Sequence, residues 1–408
     1  MRAGWQTKAL SQVCEFQRGL TYSKADEVDI SDNIVLRAMN IDLASHELDL
    51  TELKYISDKI VVPGNKKVKK DSLMICTASG SKKHLGKIAY IDDDYGYAFG
   101  GFMGMLTPKT GIVPKYLFYL MTSADYENFI GALADGMNIN NLKFDELKKF
   151  QVPYPEPREQ HRIVDILDKA FDGIGAANCN AKENLKNARA LLTSYRESIF
   201  VEKGAGWTTR PLADLCDIKH GFAFKSQFFT DTGDYVMLTP GNFFESGGYR
   251  DRGEKQKYYC GEIPRDYVLD RGDLLVAMTE QATGLLGAPI IVPESEKFLH
   301  NQRLGLVTRK TGIPWTNEFF FHVFNTRDVR KAIHDSASGV KVRHTSPKKI
   351  GNVMVSFPTS VSQQQEVVSR LTTLDEEAQR LESIYLKKLS AFDALKKSLL
   401  HHAFAGKL

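Results

Sequence analysis

Positively charged side chains gather in two stretches of this sequence, and their chemistry suits phosphate groups. Eight lysines lie between Lys59 and Lys87, with Asp71 as the one acidic residue among them. The second stretch, 336–357, has no acidic residue and contains Lys341, Arg343, His344, Lys348 and Lys349. Lysine and arginine neutralise phosphates whatever the base sequence, and neighbouring Ser, Asn and Gln can contact base edges. The two stretches favour nucleic-acid binding, and for each one alone a solvated lysine-rich loop is the alternative.

Candidate DNA contacts are polar residues in and around these stretches. In the first half of the chain they are Arg18, Tyr22, Lys24, Lys66, Lys67, Lys69, Lys70, Ser79, Ser81, Lys82, Lys83, His84, Asn138, Asn140, Asn141 and Lys143. In the second half they are Lys219, His220, Lys225, Thr279, Glu280, Gln281, Thr283, Asn301, Gln302, Arg303, Lys341, Arg343 and His344. We expect the lysines to hold phosphates and the Arg, Gln, Asn and Glu side chains to discriminate bases. Glu280 is the sharpest prediction, because a carboxylate beside DNA is costly unless it accepts a hydrogen bond from cytosine N4.

Motifs of catalysis are absent or incomplete in the sequence. The segment 80–88, GSKKHLGKI, has five residues between its glycines rather than four, and Ile88 stands where a phosphate loop needs Ser or Thr for magnesium. The glycine-rich segment 99–104 lacks the order of a cofactor loop, so we expect a structural turn there. Cys14 and Cys216 lie in hydrophobic runs and are predicted to be buried thiols. The sequence therefore predicts a chain without catalytic activity, bound metal or cofactor.

The chain repeats itself once. The set Gly4, Trp5, Thr7, Leu10, Cys14 and Gly19 recurs 202 residues later as Gly206, Trp207, Thr209, Leu212, Cys216 and Gly221. Matched residues continue to the end of the chain at shifts between 201 and 204, for example Leu167 with Leu371. A shift that changes so little indicates duplication of a whole unit rather than a short repeat.

Each repeat ends in a stretch that is predicted to form one long helix. Residues 158–200 contain no proline and residues 362–404 contain neither proline nor glycine. Apolar residues alternate steps of four and three, as in a coiled coil, with one four-plus-four step at Ala181–Leu185 and another at Tyr385–Leu389. About 40 residues reach ~60 Å, which exceeds the width of a small globule. This length disfavours two amphipathic helices in separate cores.

Together these patterns predict an α+β protein with a pseudo-twofold internal duplication. Two similar mixed α/β globules, 1–157 and 202–359, are separated by a long antiparallel two-helix coiled coil formed by 158–201 and 360–408. Apolar runs such as 34–41, 73–79 and 274–279 predict buried strands, and 114–133 and 317–335 predict helices. The linker 200–206 has its counterpart split between the two ends of the chain, so we expect the termini to be close.

Length and composition are those of a globular protein. The 408 residues suggest two or three domains, and 42% hydrophobic with 25% charged residues excludes a disordered or collagen-like chain. No run of about 18 apolar residues or secretory signal is found, and five cysteines form no CxxC pair, which favours a reduced, cytoplasmic protein without a membrane span. The net charge of +4 is too small to argue DNA binding on its own.

The residues at the end of each globule resemble those of a known family. The first copy has the pattern V-P-x-P-x-x-x-E-Q-x-x-I-V, formed by Val152, Pro153, Pro155, Glu159, Gln160, Ile163 and Val164. The second copy has Gln363 in place of the acid and retains Val355, Pro358, Gln364, Val367 and Val368. With these motifs, the Gly-Trp openings and the ending Phe404–Leu408, nearly the whole chain is similar to the specificity (S) subunit of type I restriction-modification systems.

The resemblance implies that each globule is a target recognition domain for one half of an asymmetric, bipartite sequence in double-stranded DNA. The helix pair would set the length of the gap and dock two copies of a methylation subunit, with an endonuclease/translocase subunit outside. Methylation would use S-adenosylmethionine bound by the partner. Two alternatives remain: a coiled-coil protein-protein adaptor without DNA specificity, and a self-contained methyltransferase or nuclease, which the missing motifs disfavour.

Overall fold

The computed structural model describes residues 4–80, 84–135, 141–280, 284–339 and 342–408. The chain divides into two compact units: unit 1 comprises Met1–Lys182 and Leu386–Leu408, and unit 2 comprises Glu183–Tyr385. Both boundaries fall inside a long helix, at the four-plus-four steps of the apolar seam. Each unit therefore contains part of both long helices.

Unit 1 contains strands from the first repeat. They are β1 (Gln6–Ala9), β2 (Cys14–Arg18), β3 (Glu27–Val28), β4 (Asn33–Leu36), β5 (Lys54–Ile56), β6 (Ser72–Cys76), β7 (Ile88–Ile91), β8 (Ala98–Phe99), β9 (Met103–Pro108) and β10 (Gln151–Tyr154). The helices are α1 (Leu10–Val13), α2 (Pro114–Leu120), α3 (Ala124–Asp135), α4 (Phe144–Leu147) and the long α5 (Pro157–Glu202). The sheets have the orders β2-β9-β6-β7, β3-β5-β4-β8 and β1-β10.

Unit 2 repeats this plan. Its strands are β11 (Trp207–Pro211), β12 (Cys216–His220), β13 (Phe229–Thr230), β14 (Val236–Met237), β15 (Tyr258–Tyr259), β16 (Val268–Leu269), β17 (Leu274–Ala277), β18 (Pro289–Ile291), β19 (Phe298–Leu299), β20 (Leu304–Arg309) and β21 (Met354–Pro358). Its helices are α6 (Leu212–Leu215), α7 (Asn317–Phe324), α8 (Arg327–Asp335), α9 (Pro347–Gly351) and the long α10 (Val361–Phe404). The sheet orders β12-β20-β17-β18 and β11-β21 match unit 1, and β16 extends the third sheet to β13-β15-β14-β19-β16.

The sheet β2-β9-β6-β7 of unit 1 and the sheet β12-β20-β17-β18 of unit 2 are each covered on both faces. In β6, Leu73 and Ile75 pack in one cluster with the helices, and Met74 and Cys76 pack in a second cluster with residues of the smaller sheet. Successive side chains of a strand point to opposite faces, so a strand buried on both sides is apolar throughout. This explains the continuous apolar run from which the strand was predicted. The buried run of β17 is divided between two clusters in the same way.

The predicted helices 114–133 and 317–335 are each two helices rather than one. Between α2 and α3 the hydroxyl of Ser123 donates to the carbonyl of Leu120 (2.6 Å). Between α7 and α8 the hydroxyl of Thr326 donates to the carbonyl of Val323 (2.8 Å). These hydroxyls satisfy carbonyls at the end of the preceding helix and so favour termination.

The long helices run antiparallel within each unit. In unit 1 the start of α5 shares a core with the end of α10, where the rings of Tyr116 and Phe404 lie 5.3 Å apart. In unit 2 the second part of α5 faces the first part of α10, and Arg189 Nε lies 3.0 Å from Glu382 Oε1. Trp5 and Leu408 pack against the same core, which agrees with the expected proximity of the termini. No described helix has the length and apolar content needed to span a membrane.

The predicted seam is wrong at two positions. Tyr195 and Leu395 are 36% and 47% exposed, and Arg196 and Leu400 are buried instead. At these ends the helices pack against a globule as well as against each other, so the buried face rotates by about one residue. Cys14 and Cys216 are buried as predicted, and loss of solvation raises the pKa of each thiol to about 12.

Candidate nucleic-acid interface

Loops from distant parts of unit 1 meet at the end of β2. The ammonium of Lys66 donates to the carbonyl of Arg18 (2.8 Å) and ties the turn at 64–66 to that strand end. The carbonyl of Phe102 accepts the backbone N–H of Thr77 (2.9 Å), and the carbonyl of Thr77 accepts the N–H of Leu142 (2.7 Å). These segments therefore form one edge, which we call the unit 1 edge. It consists of the turn at 64–66, the loop after β6, the loop before β9 and the segment before α4.

In each unit two loops pack so closely that one of them requires a glycine, which explains the glycines that recur in the two repeats. A Cβ on Gly19 would lie 1.9 Å from the carbonyl oxygen of Gly100, and a Cβ on Gly221 would lie 2.1 Å from that of Asn301. Leu20 and Phe222 form parallel bridges with these partner residues. A side chain at Gly19 would push its loop away from Gly100, and a side chain at Gly221 would push its loop away from Asn301.

All predicted contacts of unit 1 that the structure describes are at least partly accessible. Arg18, Lys24, Lys67, Lys69, Lys70, Asn141 and Lys143 are exposed, and Tyr22, Lys66, Ser79 and His84 are half-buried. The guanidinium of Arg18 lies 5.1 Å from the ring centre of Phe144. Lys87, counted with the basic stretch, is buried instead, and burial lowers its pKa. Ser81, Lys82, Lys83, Asn138 and Asn140 lie outside the described residues.

The unit 1 edge encloses a cleft of about 590 Å³. Its lining includes the predicted residues Tyr22, Lys24 and Ser79. It also includes Arg37 and two apolar side chains that project into solvent, Phe102 (74% exposed) and Met39 (50% exposed). A large, exposed aromatic side chain next to cationic groups is suited to the face or methyl group of a base.

Unit 2 builds an equivalent edge at the end of β12. The backbone N–H of Glu280 donates to the carbonyl of Arg343 (2.8 Å), and the N–H of Met278 donates to that of Arg303 (2.9 Å). Thr279 and His344 form an antiparallel bridge. Three of the predicted segments, 279–280, 301–303 and 343–344, are thus adjacent in space.

Several predicted residues of unit 2 have partners within the unit. Lys219 donates to the carbonyl of Asp266 (3.1 Å), and Arg343 Nη1 lies 3.2 Å from His334 Nδ1. Asn301 is buried, and its side-chain oxygen accepts the backbone N–H of Arg303 (3.0 Å), so it supports the loop from within. The exposed members are Lys219, His220, Lys225, Gln302, Arg303 and His344. Gln281, Thr283 and Lys341 lie outside the described residues.

Glu280 belongs to a charged cluster in unit 2. Its carboxylate accepts the backbone N–H of Gly284 (2.7 Å), and the guanidinium of Arg330 donates to the carbonyl of the same glycine. Burial and the charge of Arg196 lower the pKa of Arg330 to about 10, while Glu245 and Glu280 oppose that shift. Arg330 therefore ties the loop that carries Glu280 to helix α8.

A buried asparagine holds the same turn in both units. Residues 34–41 were predicted to form one strand. In the structure strand β4 ends at Leu36, and residues 38–40 form a 3-10 turn. Asn40 Oδ1 accepts the N–H of Arg37 (2.8 Å), and Asn242 Oδ1 accepts the N–H of Thr239 (3.0 Å). Both asparagines are buried. The residue whose backbone N–H the asparagine accepts is Arg37 in unit 1 and Thr239 in unit 2.

Arg37, Met39 and Phe102 are functional candidates that the sequence patterns did not indicate. Phe102 lies 201 residues before the predicted Arg303, so the repeat shift could have identified it. Arg37 lies between apolar residues, outside the basic stretches. Among the described residues no group of His, Cys, Asp and Glu is suited to bind a metal ion.

Comparison with known proteins defines the class to which this architecture belongs. The family model of the type I restriction modification DNA specificity domain matches residues 2–187 and again residues 204–389. The chain belongs to this family and carries its domain twice, which confirms both the resemblance and the internal repeat.

Individual relatives agree along the whole chain. The specificity subunits of the type I restriction enzymes StySPI of Salmonella potsdam and EcoKI of Escherichia coli K12 are each 25% identical, and the alignments cover 99% of this chain and 89% of each relative. A solved chain from a type I restriction-modification system, studied for complex assembly and conformational transition, has a TM-score of 0.78 at 16% identity and coverages of 100% and 99%. The HsdS subunit from Thermoanaerobacter tengcongensis has a TM-score of 0.63 at 15% identity, with coverages of 100% and 98%. The solved structures support the predicted fold class.

Proposed function

We propose that this chain is the DNA sequence-recognition subunit of a type I restriction-modification complex. Each unit contacts one half of a bipartite target in double-stranded DNA through its edge. The chain itself supplies recognition, while methylation and cleavage are carried out by partner subunits, including the one that binds S-adenosylmethionine. Its membership of the DNA specificity family is the observation that carries this proposal.

The two edges differ in chemistry at matched positions, which supports an asymmetric target. Arg37 corresponds to Thr239, Phe102 to Arg303 and Ser79 to Glu280, at shifts of 202, 201 and 201. The loops that carry these residues have the same hydrogen-bonded support in both units. Because base discrimination depends on donors, acceptors and apolar groups at base edges, these differences predict two unrelated half-sequences.

The long helices support the docking of two methylation subunits. Leu191 of α5 and Leu395 of α10 are 204 residues apart in the sequence and are 45% and 47% exposed. Exposed leucines at matched positions offer the same apolar contact twice, as two copies of one partner require. The endonuclease/translocase subunit then joins the complex outside these contacts.

Single-molecule methylome sequencing, with and without this gene and in the presence of its partner subunits, tests the proposal. We expect one bipartite adenine-methylation motif to vanish with the gene. Purified complex should also lose affinity for target DNA steeply as salt is raised, as expected from binding through many phosphates. An unchanged methylome together with salt-insensitive binding would instead favour the coiled-coil adaptor.

A further inference from the structure

We propose that Arg37 is a base-specificity residue that recognises a guanine, and that Phe102 and Met39 form the apolar rim of its site. This inference rests on the proposed function and assigns one base contact to a residue outside both basic stretches. The site is the 590 Å³ cleft of the unit 1 edge.

The guanidinium of Arg37 lacks a carboxylate partner among the described residues. Its Nε is buried without a hydrogen-bond partner, and Nη2 lies 2.9 Å from the thioether sulfur of Met39, a weak acceptor. Glu27, the acidic residue in the cleft lining, is paired with Lys54. An arginine has five N–H donors, and Met39 is only a weak acceptor for one of them, so the guanidinium can still donate to an incoming acceptor pair. Guanine offers O6 and N7 in the geometry that arginine binds with two parallel hydrogen bonds.

The backbone of Arg37 is fixed before any ligand arrives. Asn40 accepts its N–H (2.8 Å) and donates to the carbonyls of Asp49 (2.9 Å) and Glu52 (2.8 Å). A contact residue on a prearranged turn loses little conformational entropy on binding and can discriminate sharply. Because the backbone makes these bonds, substitution of the side chain leaves the turn intact.

The apolar rim of the cleft favours a base rather than a phosphate. Phe102 and Met39 are apolar groups next to the guanidinium, and they can contact a neighbouring base face or a thymine methyl group. Gly100 and Gly101 also line the cleft, where they contribute backbone without side chains. A phosphate site would gain nothing from the exposed Phe102 and Met39 side chains.

Unit 2 has a different combination, with Thr239 and Arg303 at the positions of Arg37 and Phe102 and with Gly241 at that of Met39. The contact should therefore affect only one half of the target. An effect on one half of the target distinguishes loss of the Arg37 contact from a general loss of DNA affinity, which would affect both halves.

The variants Arg37→Gln, Arg37→Lys and Phe102→Ala test the inference in the reconstituted methylation complex. Methylome sequencing and selection from a randomised target library give the recognised sequence. We expect both Arg37 variants to lose discrimination of one guanine by about 5- to 150-fold, since Lys keeps the charge without the paired donors. We expect Phe102→Ala to relax the same or an adjacent position, with the other half-sequence unchanged.

Matched controls are Arg158→Gln and Ile30→Ala, at exposed positions outside the cleft. They should leave the motif intact, and thermal unfolding should confirm that all variants fold. A motif that keeps every base with folded Arg37→Gln overturns the inference, as does equal weakening of both halves. If the wild-type complex yields no bipartite motif, the proposed function itself has failed.

Discussion

Gln160 and Gln364 make the same three hydrogen bonds, each within its own unit. Gln160 Oε1 accepts the N–H of Val113 (2.8 Å), and Nε2 donates to the carbonyls of Gly111 (3.1 Å) and Pro155 (2.9 Å). Gln364 repeats these contacts with Thr316 (2.9 Å), Pro314 (2.9 Å) and Pro358 (3.1 Å). Both side chains are fully buried. The glutamine of the family-like motif thus fastens the first turn of each long helix to its globule.

Removal of either glutamine should destabilise its unit. We expect Gln160→Ala or Gln364→Ala to lower the free energy of unfolding by about 1–3 kcal/mol, because buried backbone groups lose their partners. Urea unfolding monitored by circular dichroism measures the change. Gln365→Ala, at an exposed position of α10, is the control and should change stability little. Equal stability of the Gln160, Gln364 and Gln365 variants would contradict the assigned role.

The exposed lysines that follow the turn at 64–66 should contribute affinity without sequence preference. We expect Lys69→Gln and Lys70→Gln each to reduce the slope of log affinity against log salt by about 0.9 for each phosphate that the variant no longer neutralises. The methylated sequence should not change. Lys169→Gln on the exposed side of α5 is the control. A change of the recognised bases in the Lys69 or Lys70 variants would show that these residues do more than hold phosphates.

Arg330 should support recognition by Glu280. We expect Arg330→Met to free the loop at Gly284 and to relax the half-sequence contacted by unit 2, at the position that Glu280→Ala also relaxes. Burial and the charge of Arg196 disfavour the charged guanidinium more than Glu245 and Glu280 favour it, so the loss of this charge should not by itself lower the stability of the unit. Methylome sequencing compares these variants with Lys331→Met, which removes an exposed cation from the same helix. If Glu280→Ala leaves the methylated sequence unchanged, the base-contact role of Glu280 is wrong.

His300 should make stability depend on pH. Burial lowers the pKa of His300 to about 4, whereas an unfolded histidine titrates near 6.5. Between pH 4 and 6.5 the unfolded chain binds a proton at His300 that the folded chain does not. The stability that comes from keeping His300 neutral is therefore complete above about pH 6.5 and is lost as the pH falls toward 4. We expect a slope of up to ~1.4 kcal/mol per pH unit.

Urea titrations of the wild type and His300→Gln between pH 4 and 7.5 measure this slope. The variant should have a flatter profile, and His161→Gln, at an exposed position of α5, should retain the wild-type profile. Parallel profiles for wild type and His300→Gln would show that His300 is not the group responsible.

The duplication and the long helices could be predicted from the sequence because both are periodic signals. Strand β6 was also predictable, because burial on both faces requires a continuous apolar run. The ends of helices α2 and α7 were not, because they depend on hydroxyls of Ser123 and Thr326 that an apolar pattern does not weigh.

The candidate site could be predicted only in part. Clusters of lysine identified exposed charge, with Lys87 as the buried exception. Arg37 and Phe102 lie 65 residues apart in the sequence and meet only because β4 and β8 are adjacent parallel strands. Pairing of this kind depends on tertiary topology, which local composition does not contain.

The buried asparagines Asn40 and Asn242 have an evolutionary consequence. Asn40 secures its turn through backbone atoms, so the neighbouring side chain at Arg37 is free to mutate without loss of folding. In unit 2 the hydroxyl of Thr239 also donates to Asn242 Oδ1 (3.1 Å), but the backbone N–H of Thr239 keeps its own bond to the same oxygen. New restriction specificities can then arise by single exchanges on an inherited scaffold. A lineage that carries such a gene can in this way replace one half of its target while the other half persists.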